Sequence, residues 1–144
     1  YRKIFYARYF KFTKENRQNL RFISTSKHKA AQMTLGQNQE KFTQDLVQIL
    51  NYLIDNGYTI RLGEVERTQA QQDLYIKEGK SKTYNSMHLK RCAADLHIFK
   101  NGEWLQSKSQ LQSIGDYWEK LDQNNRWGGN FKNFIDTPHF ERQC

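Results

Sequence analysis

The 144-residue chain is long enough for one compact domain with a buried core and too short for two ordinary domains. Its two cysteines, Cys92 and Cys144, cannot form a disulfide framework, and no apolar run resembles a signal peptide or approaches the roughly 18 residues of a membrane span. The formal net charge of +8 suggests a nucleic-acid-binding protein until the charges are located along the chain.

The excess positive charge lies in a basic, aromatic leader, residues 1–32. This segment holds nine Lys and Arg against a single acidic residue, Glu15, whereas residues 33–144 hold 14 of each sign. The leader is either a basic arm for anionic polymers, an amphipathic targeting sequence, or no part of the working protein. Because Met33 opens a segment that is complete by itself, we expect residues 1–32 to be non-native or disordered and residues 33–144 to form the functional domain.

The first half of this domain predicts a helix, a strand and a second helix. Apolar residues between Gln37 and Asn56 recur at helical spacing, and Gly57 then favours termination of the helix. In the following run, Tyr58–Leu62, apolar residues alternate with polar ones, which indicates a half-buried strand. Thr68 and Gln71 are spaced as a capping box, which predicts a short helix that Gly79 ends.

The second half predicts a hairpin, a helix and a last strand. Residues 93–99 form a strand candidate in which Asp95, His97 and Phe99 share one face, and Asn101-Gly102 predicts a turn that returns through Trp104. Residues 109–123 have helical spacing, and Asn124-Asn125 breaks the pattern before a turn-rich run. The order of elements predicts an α+β fold, a small antiparallel sheet with flanking helices, in which the sheet carries the site.

Two distant segments look like the halves of a divided metal site. One contains His88 and Asp95, and the other contains His139. Two imidazoles and one carboxylate are the ligands that a catalytic zinc needs, since three protein ligands leave a fourth position open for water. Asp136, three residues before His139, is then the candidate general base, and Arg67 can stabilise a developing oxyanion or hold a substrate carboxylate. The residues therefore predict a zinc hydrolase.

Several neighbouring side chains have two interpretations each. Trp127 either forms the floor of a substrate cleft or belongs to the core. Glu141 either orients a ligand histidine by accepting a hydrogen bond or is solvated at a strand edge. His97 is either a further donor near the metal or a partly buried sheet residue, and Cys92 is interpreted as a small buried side chain.

Taken together, these residues resemble the M15 family of zinc peptidases, whose site pattern is Ser-x-His, six residues, Asp, and later an acidic residue, two positions and the last histidine. The resemblance covers about Met33 to Glu141. Within the family the chain looks most like the small phage and prophage endolysins that cut the L-alanyl-D-glutamate bond of the peptidoglycan stem peptide. The supporting segments are residues 63–68, 85–88, 93–95 and 127–131.

This resemblance implies the M15, D-Ala-D-Ala peptidase-like fold and zinc bound by His88, Asp95 and His139. It also implies that Asp136 is the base, and it places Arg67, Gln72 and Ser86 around the substrate or the ligands. The implied partner is the peptidoglycan stem peptide and not a specific nucleic acid. We expect a monomer that is made in the cytoplasm without a signal peptide and reaches the cell wall with a holin-like partner.

Two positions depart from part of the family. D-Ala-D-Ala dipeptidases and carboxypeptidases usually have glycine where this chain has Arg91 and glutamate where it has Asp136. Both departures favour the endolysin branch, and the shorter aspartate requires a closer backbone. The alternatives are a D-Ala-D-Ala carboxypeptidase or dipeptidase of the same family and, from another class, a nucleic-acid-binding or non-catalytic wall-binding module.

Overall fold

The first helix, α1, spans Leu35–Asp55 and begins at a capping box. The Thr34 side chain accepts a hydrogen bond from the backbone N–H of Gln37, and the Gln37 side chain accepts one from the backbone N–H of Thr34. The helix stops at Asn56, and the chain then turns at Gly57, whose φ of 74° suits a residue without a Cβ. The first predicted helix is therefore confirmed, with its start two residues earlier.

The computed structural model describes residues 32–144, so the predicted leader, apart from Gln32, lies outside the described residues. The elements after α1 are β1 (Tyr58–Leu62), α2 (Gln69–Lys77), β2 (Ala93–Lys100), β3 (Glu103–Trp104), α3 (Lys108–Leu121), β4 (Asn125–Trp127) and β5 (His139–Arg142). Short 3₁₀ helices cover Met87–Lys90 and Gly128–Asn130. No helix in the described part of the chain is long and apolar enough to cross a membrane.

The five strands form a mainly antiparallel sheet with the order β1-β2-β5-β4, and β3 pairs with the distal end of β2. Strand β2 is central to the sheet, because its first half pairs with β5 and its second half pairs with both β1 and β3. Its side chains alternate between two faces: Ala94, Leu96 and Ile98 are buried, while the residues between them are half-buried. The predicted α+β fold with a small antiparallel sheet is confirmed.

Helices α1 and α3 cover the apolar face of the sheet and leave the other face to the site. The core residues are Phe42, Ile49, Leu53, Ala94, Leu96, Ile98, Leu111, Ile114, Trp118, Trp127 and Phe140. Trp118 is at the centre of this set: its ring meets Phe42 and Phe140 edge to face, and its indole N–H donates to the carbonyl oxygens of Arg126 and Glu141. The cysteine prediction agrees with the structure, since Cys92 is fully buried.

One strand was not predicted. Asn125 was interpreted as part of a helix-breaking pair, and it does follow α3, but it also begins β4. Its side-chain amide is buried and donates to Asp45 on α1 and to the carbonyl oxygen of Trp118. These contacts satisfy the amide nitrogen of a residue type that strand propensity alone disfavours, and they help to fix β4 beside β5.

Candidate metal centre

Strand pairing brings Asp95 and His139 together. Asp95 in β2 lies directly opposite His139 in β5. Directly opposed residues of antiparallel strands project their side chains from the same face, and Asp95 Oδ1 lies 3.3 Å from His139 Nδ1. This is the face of the sheet away from the helical layer, so both groups are available to a cleft.

His88 reaches the same point from the 3₁₀ helix that precedes β2. The Ser86 hydroxyl caps this helix by accepting the backbone N–H of His88 at 3.3 Å. The Nδ1 atom of His88 lies 3.2 Å from the carbonyl oxygen of Val65. Since a carbonyl oxygen can only accept, Nδ1 carries a proton, and Nε2 is directed into the centre, 3.4 Å from Asp95 Oδ1 and 3.2 Å from His139 Nδ1.

The backbone leaves this helix through Arg91, which has a φ of 52°. Glycine adopts this left-handed conformation most easily, and glycine is the residue that the D-Ala-D-Ala enzymes of the resembled family usually have here.

His139 is held from behind by a buried carboxylate. Its Nε2 atom lies 2.8 Å from Glu141 Oε2, and the other Glu141 oxygen accepts a hydrogen bond from Arg126 Nε at 2.8 Å. Burial opposes the charge on Glu141, but the hydrogen bonds from His139 and Arg126 outweigh it and lower the pKa of that carboxyl. Of the two interpretations of Glu141, the structure agrees with the one in which it orients a histidine.

When a proton and not a metal ion occupies the centre, His139 is a cation and Asp95 is an anion. Burial disfavours charge on Asp95, but hydrogen bonds from His139 and His88 outweigh burial and hold the pKa of Asp95 well below its usual range. Burial also disfavours the His139 cation, but Asp95 and Glu141 outweigh it and raise the pKa of His139 to about 9. A metal ion binding here must therefore displace a proton from His139.

The three side chains fit a zinc ion. One ligand atom from each of His88, Asp95 and His139 can be chosen so that all lie within 4.8 Å of one another. Two imidazole nitrogens and one carboxylate oxygen suit zinc and leave a coordination position open. The second ring nitrogen of each histidine already has an acceptor, the Val65 carbonyl oxygen or the Glu141 carboxylate, as is usual for metal-binding histidines.

Asp136 lies beside this centre without joining it. Its backbone N–H donates to the Gly128 carbonyl oxygen and its carbonyl oxygen accepts from the His139 N–H, while its carboxylate makes no hydrogen bond within residues 32–144. Burial is the largest cause of a raised pKa for Asp136, and the neighbouring Asp95 charge adds to it. A Cβ at Gly128 would lie 2.2 Å from the Asp136 carbonyl oxygen, so glycine permits the close backbone that the shorter aspartate needs.

Arg67 lies at the side of the cleft in a dense set of contacts. Its Nε atom donates to Glu64, its NH1 atom donates to Gln72 at 2.8 Å and to Ser86 at 3.5 Å, and its guanidinium covers the Tyr75 ring. Burial alone would lower its pKa, but the Glu64 carboxylate outweighs burial and raises it. Arg67 is therefore a permanently charged group in a fixed orientation.

Two residues predicted to contact substrate lie elsewhere. Gln72 is 0% exposed, and its amide is occupied by Arg67 and by Ser81 and the Thr83 carbonyl oxygen of the following loop. Trp127 is also 0% exposed, packs in the core, and donates its indole N–H to the Thr137 carbonyl oxygen at 2.8 Å. Neither side chain lines the cleft, and their contacts hold Arg67, the loop and the Asp136 segment.

The cleft over the centre has a volume of about 590 Å³, which suits a peptide segment. One wall is the loop 80–85 and the other is the segment 131–134, and both contribute lysines to the rim.

Sequence reasoning missed Val65, which holds His88 through a backbone oxygen and therefore leaves no side-chain signal. It also missed Arg126, whose role is visible only once β4 is paired with β5.

A comparison with protein-family models matches the part of the chain that contains most of these candidate site residues. Residues 79–142 match a family model described as D-alanyl-D-alanine carboxypeptidase, a stretch that contains the three candidate ligands and Asp136 but not Arg67. No curated protein matches the chain significantly. Among solved structures, the chain is similar to the L-Ala D-Glu endopeptidase ChiX of Serratia marcescens, with 20% identity, a TM-score of 0.57, and coverage of 83% of this chain and 96% of that chain.

At this identity the structural likeness shows a shared fold. The family match is independent of that likeness and lies on the segments that bear the site. Together, the match over residues 79–142 and the shared fold support an M15 family peptidase that resembles the L-Ala-D-Glu endopeptidases.

Proposed function

We propose that the chain is a zinc-dependent peptidoglycan peptidase that cuts the bond between L-alanine and D-glutamate in the stem peptide. The observation that carries the proposal is the convergence of His88, Asp95 and His139, with their ligand atoms within 4.8 Å, in the same cleft as Asp136, whose carboxylate makes no hydrogen bond to the described residues. The choice of bond is supported by the departures at Arg91 and Asp136 and by the fold shared with an L-Ala D-Glu endopeptidase.

In this proposal His88, Asp95 and His139 hold the zinc ion. When bound, the ion supplies Lewis acidity for the substrate carbonyl and increases the acidity of water at its open position. The protein contributes orientation: the Val65 carbonyl oxygen fixes the His88 ring and Glu141 fixes the His139 ring. The ligands are therefore preorganised by contacts that require no rearrangement.

Asp136 is the proposed general base and acid. It accepts a proton from the attacking water and then donates it to the amine of the leaving D-glutamate. Its partial burial raises its pKa, which makes the carboxylate a better base, and within residues 32–144 no hydrogen bond occupies either oxygen. The Gly128 turn keeps it beside His139 without placing it among the ligands.

Arg67 is proposed to stabilise negative charge on the substrate. Glu64 accepts from two nitrogens of its guanidinium, and Gln72 and Ser86 accept from the third, so four of the five N–H groups are engaged and the remaining one lies at the cleft wall. A fixed guanidinium can bind a carboxylate or a developing oxyanion without losing side-chain entropy at the time of reaction. Ser86 acts with it, since one hydroxyl contacts both Arg67 and the His88 backbone.

The direct test is digestion of purified peptidoglycan by the full chain, followed by mass spectrometry of the new termini. We expect new N-terminal D-glutamate and C-terminal L-alanine, and no activity in the His88→Ala variant. Zinc content is measured on both proteins, because His88→Ala should lose the metal as well as the activity. Wild-type protein that binds zinc and leaves all stem peptides intact would contradict the proposal.

A second candidate follows from the description of the matching family model, D-alanyl-D-alanine carboxypeptidase. The same digestion separates it, because this activity releases free D-alanine and leaves the Ala-Glu bond intact. A nucleic-acid-binding module of another class would depend on the leader and predicts binding that weakens steeply with salt. Residues 33–144 are electrically neutral overall and offer little attraction to phosphates.

The proposed biological role is lysis of a bacterial host from within. An enzyme made in the cytoplasm must cross the membrane to meet the wall, so the role requires a holin-like partner. Expression of the chain in bacteria should lyse the cells only when the membrane is permeabilised, and equal lysis without permeabilisation would remove that requirement. Sedimentation of the purified chain tests the expected monomer.

A further inference from the structure

An aromatic platform lies on the same sheet face as the metal centre, towards the distal end of β2. It consists of His97, Phe99 and Trp104, with the Arg61 guanidinium beside them. The register explains the grouping, because Phe99 is directly opposite Trp104 and His97 is directly opposite Arg61. Opposed residues share a face, so all four side chains project away from the core.

The rings are in mutual contact, and one of them is open to solvent. Trp104 lies 5.4 Å from the His97 ring and 6.3 Å from the Phe99 ring, and the Arg61 guanidinium lies 4.4 Å from the Phe99 centroid. Trp104 is 47% exposed, whereas the other two tryptophans of the chain, Trp118 and Trp127, are 0% exposed. Nothing in the proposed reaction uses this exposed indole.

The platform continues from the centre along one strand. Asp95, His97 and Phe99 alternate on β2, so the rings begin about 7 Å from Asp95 and extend to about 13 Å from it. Gly63, which directly follows β1, lies against Asp95 and His97, between the metal centre and the platform. A Cβ there would lie 3.1 Å from Asp95 Cβ and 3.5 Å from His97 Cε1, so the absence of a side chain leaves the surface between centre and platform open.

We propose that this platform binds the glycan of the substrate, by stacking a sugar ring on Trp104. The inference rests on the proposed function and adds a subsite to it. In peptidoglycan the first stem residue, L-alanine, is joined to the sugar through a lactyl group. If the Ala-Glu bond lies at the metal centre, the sugar follows after two residue-like units, which span about 7 Å when extended.

The dimensions of the platform agree with this occupant. A sugar that begins about 7 Å from the scissile bond meets the rings where they begin on β2. Its C–H face is apolar and suits an exposed indole, while its hydroxyl and acetamido oxygens can accept hydrogen bonds from the Arg61 guanidinium. The platform also fixes the direction of the substrate, with the glycan side over β2 and the D-glutamate side towards the loop 80–85.

A second copy of the chain is a poorer occupant. Stable protein interfaces bury roughly 800 Å² on each partner. Even fully buried, three aromatic side chains supply at most about 750 Å², and two of these rings are already half-buried against their neighbours, which lowers the area available to a partner. The platform is therefore of a size for one or two sugar rings.

The kinetic test compares two soluble substrates, a stem peptide carrying the N-acetylglucosamine and N-acetylmuramic acid disaccharide and the same peptide without sugar. We expect Trp104→Ala to lower kcat/KM on the disaccharide substrate about tenfold and to leave the sugar-free peptide unchanged. Trp104→Phe, which keeps a stacking ring, should retain most of the activity. Ile54→Ala is the matched control, since Ile54 is an exposed apolar residue at the end of α1.

The binding test does not depend on catalysis. Because Trp104 alone among the three tryptophans is exposed, acrylamide quenching of the wild-type fluorescence reports mainly on that side chain. Peptide-free glycan oligomers of the same disaccharide should protect the indole in a saturable manner. The Trp104→Phe variant should lose the quenching signal while its two buried tryptophans remain.

Specific results would overturn the subsite. If Trp104→Ala lowers kcat/KM equally on both substrates, the platform supports the metal centre and does not bind sugar. If it lowers kcat/KM on neither substrate, the platform has no role in binding. A dimer in sedimentation that Trp104→Ala dissociates would make the face a contact between copies. Failure of the wild type to cleave either substrate would contradict the proposed function, while protection by glycan oligomers would still support the platform.

Discussion

Asp95 and His139 face each other across β2 and β5, with 3.3 Å between Asp95 Oδ1 and His139 Nδ1. In the metal-free protein the two residues form an ion pair, since the pKa of His139 is raised to about 9 and the pKa of Asp95 is lowered. This arrangement has two measurable consequences, a loss of stability at alkaline pH and the release of a proton when zinc binds.

The metal-free chain should lose stability at alkaline pH. His139 has a higher pKa folded, about 9, than its ordinary 6.5, so its contribution is complete below pH 6.5 and is lost as the pH rises through 9. We expect the free energy of unfolding in chelator to fall by up to about 3 kcal/mol between pH 6 and pH 10. Urea denaturation measures this, and a His139→Gln variant should lack that part of the change.

Zinc binding at pH 7 should release about one proton. His139 is protonated at this pH in the metal-free chain, and the ion must take its Nδ1 lone pair. Calorimetric titration in buffers with different ionisation enthalpies gives the number of protons directly. A value near zero would show that His139 is neutral before binding.

Glu141→Gln should weaken zinc binding by about ten- to a hundredfold. The variant keeps a hydrogen-bond acceptor for His139 Nε2 but removes the negative charge that supports the ring and pairs with Arg126. Competition with a chromophoric chelator measures the affinity. Glu40→Gln on the exposed side of α1 is the control and should bind zinc as the wild type does.

Asp136→Asn should retain zinc and lose at least about a hundredfold in turnover, the size of one general-base contribution. The amide is the same size but cannot accept the proton. Metal analysis and the rate on a soluble stem peptide are measured on the same preparation, with Asp55→Asn as an exposed control. Unchanged turnover would exclude Asp136 as the base.

The packing under the site can be tested with two glycines in helices. A Cβ at Gly115 of α3 would lie 2.1 Å from the Trp127 ring, so Gly115→Ala should displace that ring and cost about 1–3 kcal/mol of stability. A Cβ at Gly36 of α1 meets nothing within 4 Å, and Gly36→Ala should stabilise the chain by about 0.5 kcal/mol. Thermal unfolding of both variants compares them, and equal effects would contradict the packing argument.

Local patterns in the sequence were sufficient for most elements. Helix α1 has a capping box and an apolar stripe, and the alternation in β2 separates Asp95 and His97 from the core. These signals are local, because a helix or strand buries one face at a fixed period. The pattern from His88 to His139 was also visible as a family resemblance, which the match over residues 79–142 supports.

Other features depended on contacts between distant residues. Asn125 lies in a strand because Asp45 satisfies its amide, and Gln72 is buried because Arg67 and the loop after α2 use its amide. Trp127 left two interpretations open, and its packing in the core decided between them.

The sequence by itself determined which side chains are candidates for the chemistry and which segments form the helices and the central strand. Only the tertiary structure decided that the ligand atoms of His88, Asp95 and His139 meet within 4.8 Å, and that Val65 and Glu141 hold the two rings. The physical reason is that the pairing register of β2 with β5 depends on burying one whole face of the sheet, to which residues along the entire domain contribute.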